Sequence, residues 1–399
     1  MIEKRLIYRI IDEKMKKFWN LFNIKTTTVK DLGFLGFTKI IGTGISAFFW
    51  LYLANLLGAK AYGEIQFYIA IAGMAYILAS LGTANTITVY AAKNIKIHST
   101  LFLISIIGGL IALLVLFAIF GRLDIGLIIL SFIIYDLAIN FLLGKKEYSK
   151  YSINFLIQKI LMVGLGIGFY YIFGIEGIIF GIALSYIHFT FIAFKISRDS
   201  KIDFSLIKSK RSFITNNYLE SAIGGVRGQI DLIMIVPLLG FTILGNYALA
   251  MQFYGIMMVI SMIVFKYLLP QDASGVPNLG LKIITVLISV LISVLSIFLT
   301  PIIIPHFFPQ YTDSVIAIQI LSLSVSPATM GYLYISKFLG SEKGKFVLIG
   351  RIISLSSLVL GMLILPGYFG IIGAASAFVI STVCQTTFLA ISKIKYLDK

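Results

Sequence analysis

The feature that most constrains this chain is a succession of apolar runs, each about twenty residues long, separated by short connections that carry most of its charge. A helix of twenty residues rises about 30 Å, the thickness of a hydrocarbon core. In lipid no water satisfies a free backbone amide, so a run of this length and polarity crosses as a helix that closes its own hydrogen bonds. The expected fold class is an all-α integral membrane protein.

The runs fall at 33–57, 65–91, 100–120, 123–143, 152–173 and 176–194, then at 212–238, 241–265, 283–304, 314–336, 346–366 and 369–392. That is about twelve transmembrane helices. The seventh is the most diluted, carrying Asn216, Asn217, Glu220, Arg227 and Asp231. Composition agrees: 59% of the 399 residues are hydrophobic and only 13% charged, against about 25% charged in soluble domains. The formal charge of +16 would suggest nucleic acid if its carriers were gathered in one face or domain. They are instead distributed over alternate connections.

One side takes Lys93, Lys96, Lys145, Lys146, Lys150, the cluster from Lys195 to Arg211, Lys266, Lys282, Lys337, Lys343, Lys345, Lys393, Lys395 and Lys399. The other holds only Lys60 and Arg122. By the positive-inside rule the basic side is cytoplasmic, which predicts a multi-pass protein of the cell membrane with both termini inside. Removing any one run scrambles this alternation. The charge is therefore topological, and no nucleic-acid partner is expected.

Residues 1–32 read as a basic, cytoplasmic N-terminal segment with an amphipathic pattern, rather than as a cleavable signal. Connections are too short for a folded catalytic head. The sequence shows no Cys or His cluster, phosphate-binding loop, catalytic triad or paired catalytic carboxylates, so no metal, cofactor or enzymatic reaction is expected. Cys384, the single cysteine, lies in the last run and reads as an inert packed or lipid-facing thiol.

The polar stretch near residue 200 divides the chain into two halves, and short echoes relate them. Leu56-Leu57-Gly58 with Gly63 recurs as Leu238-Leu239-Gly240 with Gly245. Phe173-Gly174-Ile175 with Gly177 recurs as Phe369-Gly370-Ile371 with Gly373. Six runs per half make the repeat parallel, with a first six-helix bundle over 33–195, a cytoplasmic linker over 196–211, a second six-helix bundle over 212–392 and a cytoplasmic tail over 393–399. Two bundles related in this way enclose a site at their interface and can rock about it.

Ionisable residues inside spans are costly and mark candidate sites. Arg227, Lys159, Lys39 and Arg351 are the candidate substrate-binding cations, suited to a phosphate or diphosphate. Asp136, Glu220 and Asp231 are candidates for ion coupling or charge pairing. Each also has a plainer reading. Lys39 and Arg351 are near enough to the interface to snorkel, Arg227 and Asp231 are four apart and can neutralise each other, and Lys159 can pair with Asp136.

The stretch from Leu53 through Gly58 to Gly63, followed by Ala79-Ser-Leu-Gly82, resembles the opening spans of the polysaccharide biosynthesis proteins that flip lipid-linked oligosaccharides. Asp231-Leu-Ile-Met-Ile, Gly245-Asn-Tyr247-Ala-Leu-Ala250 and Gly370-Ile-Ile-Gly373-Ala-Ala-Ser-Ala377 are similar to that family's seventh, eighth and last spans. The family belongs to the multidrug/oligosaccharidyl-lipid/polysaccharide exporter superfamily, which includes the lipid II flippase and the multidrug extruders. The resemblance implies a V-shaped pair of bundles with a central cationic cavity. A glycan linked to a polyprenyl phosphate or diphosphate would cross through that cavity from the cytoplasmic to the outer leaflet. Expected partners are the lipid-linked glycan, membrane lipids, and a glycan polymerase or glycosyltransferases. The rival readings are a cation-coupled exporter of drugs or solutes, disfavoured by Lys39 in place of a first-span carboxylate, and a membrane-embedded glycan-processing enzyme.

Overall fold

The computed structural model describes residues 26–81, 84–198, 201–275 and 278–397, with side chains from residue 35 onward. The amphipathic pattern over the first residues lies outside that range. Among the described residues every regular element is a helix. The first half comprises α1 (Thr26–Ala79), α2 (Ala84–Ala92), α3 (His98–Phe120), α4 (Leu123–Gly144), α5 (Tyr148–Phe173), α6 (Ile175–Leu184) and α7 (His188–Arg198). The second comprises α8 (Phe204–Arg227), α9 (Ile230–Ala273), α10 (Leu279–Phe307), α11 (Ser314–Ser322), α12 (Val325–Gly340) and α13 (Gly344–Tyr396). The linker expected over 196–211 is helical from Phe204 on, where Asp203 caps α8 by accepting from the Ser205 backbone amide at 2.8 Å.

By length and apolarity, eight helical stretches among the described residues can cross a membrane, or nine when α11 and α12, bent by 41° at their junction, count as one. This is fewer than the twelve runs, and the reason is local. The 54 residues of α1 extend over about 80 Å of helical rise, far more than one crossing. Gly58 interrupts it at φ 72° and ψ 170°. Gly240 breaks α9 at φ 83° and ψ 174°, and Gly370 breaks α13 at φ 55° and ψ −131°. These positive φ angles exclude most side chains, so glycine at these positions lets the chain turn without a loop.

The breaks also carry the repeat. Gly58 and Gly240, the corresponding glycines of the first echo, share nearly the same backbone angles, and Gly174 (φ 71°, ψ −153°) corresponds to Gly370. Gly63 packs against the backbone of Phe241 and Gly245, while Gly245 packs against the backbone of Ala59. The contact is reciprocal, since Ala59 corresponds to Phe241 and Gly63 to Gly245. Such an i-to-j, j-to-i contact is the mark of a two-fold relation between the halves. Within each half, Gly177 rests on the Phe169 carbonyl and Gly373 on the Leu365 carbonyl, at the same spacing.

This end of the molecule is tied shut across the halves. Asn55 donates to the Phe307 carbonyl at 2.6 Å, and Tyr311, fully buried, donates to the Ala54 carbonyl at 2.7 Å. Arg122 holds Asp124 at 2.6 Å and Glu64 at 3.6 Å, over the ring of Tyr68. The opposite end carries the basic connections, including Lys145 on Asn94 and Lys282 on Asp272. Large apolar side chains face outward along the helices, for example Leu114 and Ile119, each 64% exposed, as lipid contact requires.

Candidate functional site

The candidate cations form two separate groups. In the first half, Lys39 on α1 and Lys159 on α5 converge on one aromatic ring. The Lys39 ammonium lies 4.5 Å and the Lys159 ammonium 5.4 Å from the centroid of Phe155. Phe155 and Lys159 are one turn apart on α5, and Gly42 on α1 leaves room for the ring against the helix backbone. Neither lysine has an acidic partner within 4 Å among the described residues. The two ammonium groups repel each other, and Lys266, from α9 in the second half, also feels the charge of Lys39. Cation–π contact lowers the cost of each charge by only about 0.5–2 kcal/mol and cancels none of it.

In the second half Arg227, Arg351 and Asp231 each have polar partners. Arg227, at the end of α8, donates from Nε to Ser354 at 3.0 Å and from Nη2 to Ser381 at 3.1 Å, and lies 4.5 Å from the centre of the Phe378 ring. Ser354 and Ser381 belong to the two arms of α13, on either side of the Gly370 break. Ser381 sends its own proton to the Phe378 carbonyl at 2.8 Å, leaving its lone pairs for the guanidinium. Arg351 pairs with Glu220 at 3.2 Å and rests against Gly224 of α8. Asp231, 1% exposed, accepts from the Tyr247 hydroxyl at 2.9 Å and from the Leu232 amide at 3.0 Å.

Two pairings that the sequence allows make no close contact among the described residues. Arg227 and Asp231 form no ion pair within 4 Å, because the helix stops at Arg227 and restarts at Ile230, which removes the four-residue alignment, although the Arg227 charge still acts on the Asp231 carboxylate. Asp136 and Lys159 form none either. Asp136, 7% exposed on α4, accepts from Asn140 at 2.7 Å and has the Tyr76 hydroxyl beside it. Lys159 turns to Phe155 instead.

Sequence reading missed Phe155, Lys266, Ser354, Ser381 and Tyr247. The four-residue spacing of Phe155 and Lys159 could have revealed the first. Nothing local marks the two serines, which are distant from Arg227 in the chain. Among the described residues no three His, Cys, Asp or Glu side chains gather as metal ligands.

No family model and no curated protein sequence matches the chain. Solved structures do match its fold. The lipid II flippase MurJ in an inward closed conformation superposes with a TM-score of 0.76 at 14% identity, over 90% of this chain and 87% of that one. An inward-facing multidrug resistance MATE family transporter of the MOP superfamily gives 0.69 at 13% identity, over 89% and 94%. A MOP superfamily transporter from Pyrococcus furiosus, described by a reversed polarity of its binding pocket, gives 0.57 at 16%, over 92% and 95%. These neighbours are membrane transporters, not enzymes, and at such identities they establish one thing for this chain: its fold is that of the MOP superfamily transporters.

Proposed function

We propose that the chain is a flippase that carries a polyprenyl-phosphate- or diphosphate-linked oligosaccharide from the cytoplasmic to the outer leaflet. The observation that carries this reading is the Lys39–Phe155–Lys159 group, two lysines beside one ring between apolar helices with no acidic partner among the described residues. Like charges held together in such a place favour a counter-anion, and a phosphate or diphosphate head supplies one. Arg227, oriented by neutral hydroxyls that leave its charge intact, is a second stop for the same head in the other half.

Counting the first arm of α1, its second arm with α2, then α3, α4, α5, α6 with α7, α8 with the first arm of α9, the second arm of α9, α10, α11 with α12, and each arm of α13 as crossings gives twelve in two bundles of six, with the basic end cytoplasmic. The contacts at the glycine breaks hold the outer side closed, so the head enters from inside while its tail remains in lipid. Rocking of the two bundles about the Gly63–Gly245 seam then exposes it outside.

A second reading, a cation-coupled exporter of drugs or solutes, is favoured by Asp136, a carboxylate buried in the first half. Proteoliposomes separate the two. The flippase reading expects head-group accessibility of a fluorescent polyprenyl-diphosphate-linked sugar to equilibrate across the bilayer, independently of Asp136→Asn. If that sugar stays on its own leaflet and an organic cation is instead exchanged for protons or sodium, lost in Asp136→Asn, the exporter reading replaces it.

A further inference from the structure

An apolar groove of about 590 Å³ runs between α1 and α5 on the lipid-facing side, lined by Gly44, Ile45, Phe48, Ile160, Val163 and Gly164. Its width comes from two glycines, since a Cβ placed on either Gly44 or Gly164 meets no atom within 4 Å. Phe48 and Ile160 stand at its rims, 66% and 63% exposed. The groove begins about one turn from the two lysines. Phe155, Lys159 and Val163 follow one another at four-residue steps along α5, and Lys39, Gly42 and Ile45 at three-residue steps along α1, so each charged position shares a helix ridge with a wall of the groove. At the far end the Tyr52 and Tyr171 side chains meet across the same pair of helices. From Lys159 to Tyr171 the rise is about 18 Å, more than half of a 30 Å hydrocarbon core.

We propose that this groove holds the first part of the hydrocarbon chain of the transported lipid while its phosphate rests on Lys39 and Lys159. The inference deepens the flippase reading and rests on it. A site for the head alone leaves the tail free in lipid. A glycine-floored channel leading away from the two cations aligns one chain with the helix pair and fixes the head by its attachment. Lys159 lies about 16 Å above the start of α5, so a head held there is lifted well clear of the inner head-group plane. Its chain then points along the groove toward the Tyr52–Tyr171 pair. Charge complementarity selects the occupant: a single-chain anionic lipid satisfies both the apolar channel and the unpaired ammonium groups, whereas a zwitterionic phospholipid brings its own cation.

The test uses the full chain in proteoliposomes with a diazirine-bearing polyprenyl phosphate, and Gly44→Leu and Gly164→Leu to fill the groove. Gly280→Leu adds the same bulk at an open position on α10 and is the control. The expected result is photolabelling of the α1 and α5 peptides, a fall of about tenfold in labelling and flipping in the two groove variants, and wild-type behaviour of the control. Binding of inorganic diphosphate should be unchanged by either groove variant and lost in Lys159→Gln. Groove variants that flip at the wild-type rate while Lys159→Gln does not would overturn the groove and leave the flippase reading standing. Labelling competed equally by phosphatidylcholine would show a site for bulk lipid and overturn it too. If Lys159→Gln also flips normally, both readings fall.

Discussion

The two halves share a backbone design and differ in how they treat charge. At the seam they are nearly interchangeable: Gly58 matches Gly240 in conformation, and Gly63 and Gly245 pack reciprocally. Away from it they diverge. In the second half Arg351 has Glu220, Asp231 has Tyr247, and Arg227 has Ser354 and Ser381. In the first half Lys39 and Lys159 have, among the described residues, the face of Phe155 and no acidic partner. Symmetry of packing with asymmetry of charge teaches which part of a duplicated fold is scaffold. The seam tolerates little change in either half, whereas Lys39 and Lys159 of the first half have no acidic partner among the described residues.

The largest effect expected is at the seam. In both Gly63→Ala and Gly245→Ala the added methyl would overlap a backbone carbonyl that cannot move aside. Each should cost about 3 kcal/mol by overpacking, read as a lower thermal unfolding midpoint in detergent. Equal losses would support the two-fold relation, and a loss in only one would break it. Next, Arg227→Ala should destabilise by about 1–3 kcal/mol, because Ser354 and Ser381 lose a charged donor. Lys159→Gln should leave stability unchanged or raise it, since it removes an uncompensated charge. A Lys159→Gln protein as destabilised as Arg227→Ala would end the contrast between the halves.

The Arg351–Glu220 pair is about one-third exposed on each side, so a double-mutant cycle of Arg351→Ala and Glu220→Gln should return a coupling of about 0.2–1 kcal/mol. The smallest effect lies outside the membrane. Ser205 holds the Asp203 carboxylate below its ordinary range by donating to it from both backbone and side chain. A depressed carboxylate contributes at neutral pH and is lost as pH falls through its lowered value. The first turn of α8 should therefore exchange its amide hydrogens faster only in strong acid, or in Asp203→Ala at any pH.

Much of the fold was legible because lipid imposes a simple rule: run length reports a crossing and basic residues sort the connections. The glycine echoes were legible for a related reason, since a loopless turn and a backbone-to-backbone contact both require glycine, and both echoes mark such places. The continuity of α1 through Gly58 was not legible, because a single positive-φ residue and a longer loop look alike in a string of apolar letters. The candidate site was half visible. Its cations could be found by their cost in an apolar run, yet their partners could not. Spacing predicted Arg227 with Asp231, but the helix breaks at Gly228–Gln229. Ser354 and Ser381 approach Arg227 through tertiary packing of α13, which no local pattern encodes.

The most direct test of the account is the rate at which a fluorescent polyprenyl-diphosphate-linked sugar crosses proteoliposomes bearing the native chain, Lys39→Gln, Lys159→Gln or the double variant. The account predicts flipping by the native chain and a fall of roughly 10- to 100-fold in each single variant, as expected for loss of a charge-assisted contact to the phosphate. In the double variant it predicts no flipping above empty liposomes. Native-rate flipping by the double variant, with folding intact, would contradict it.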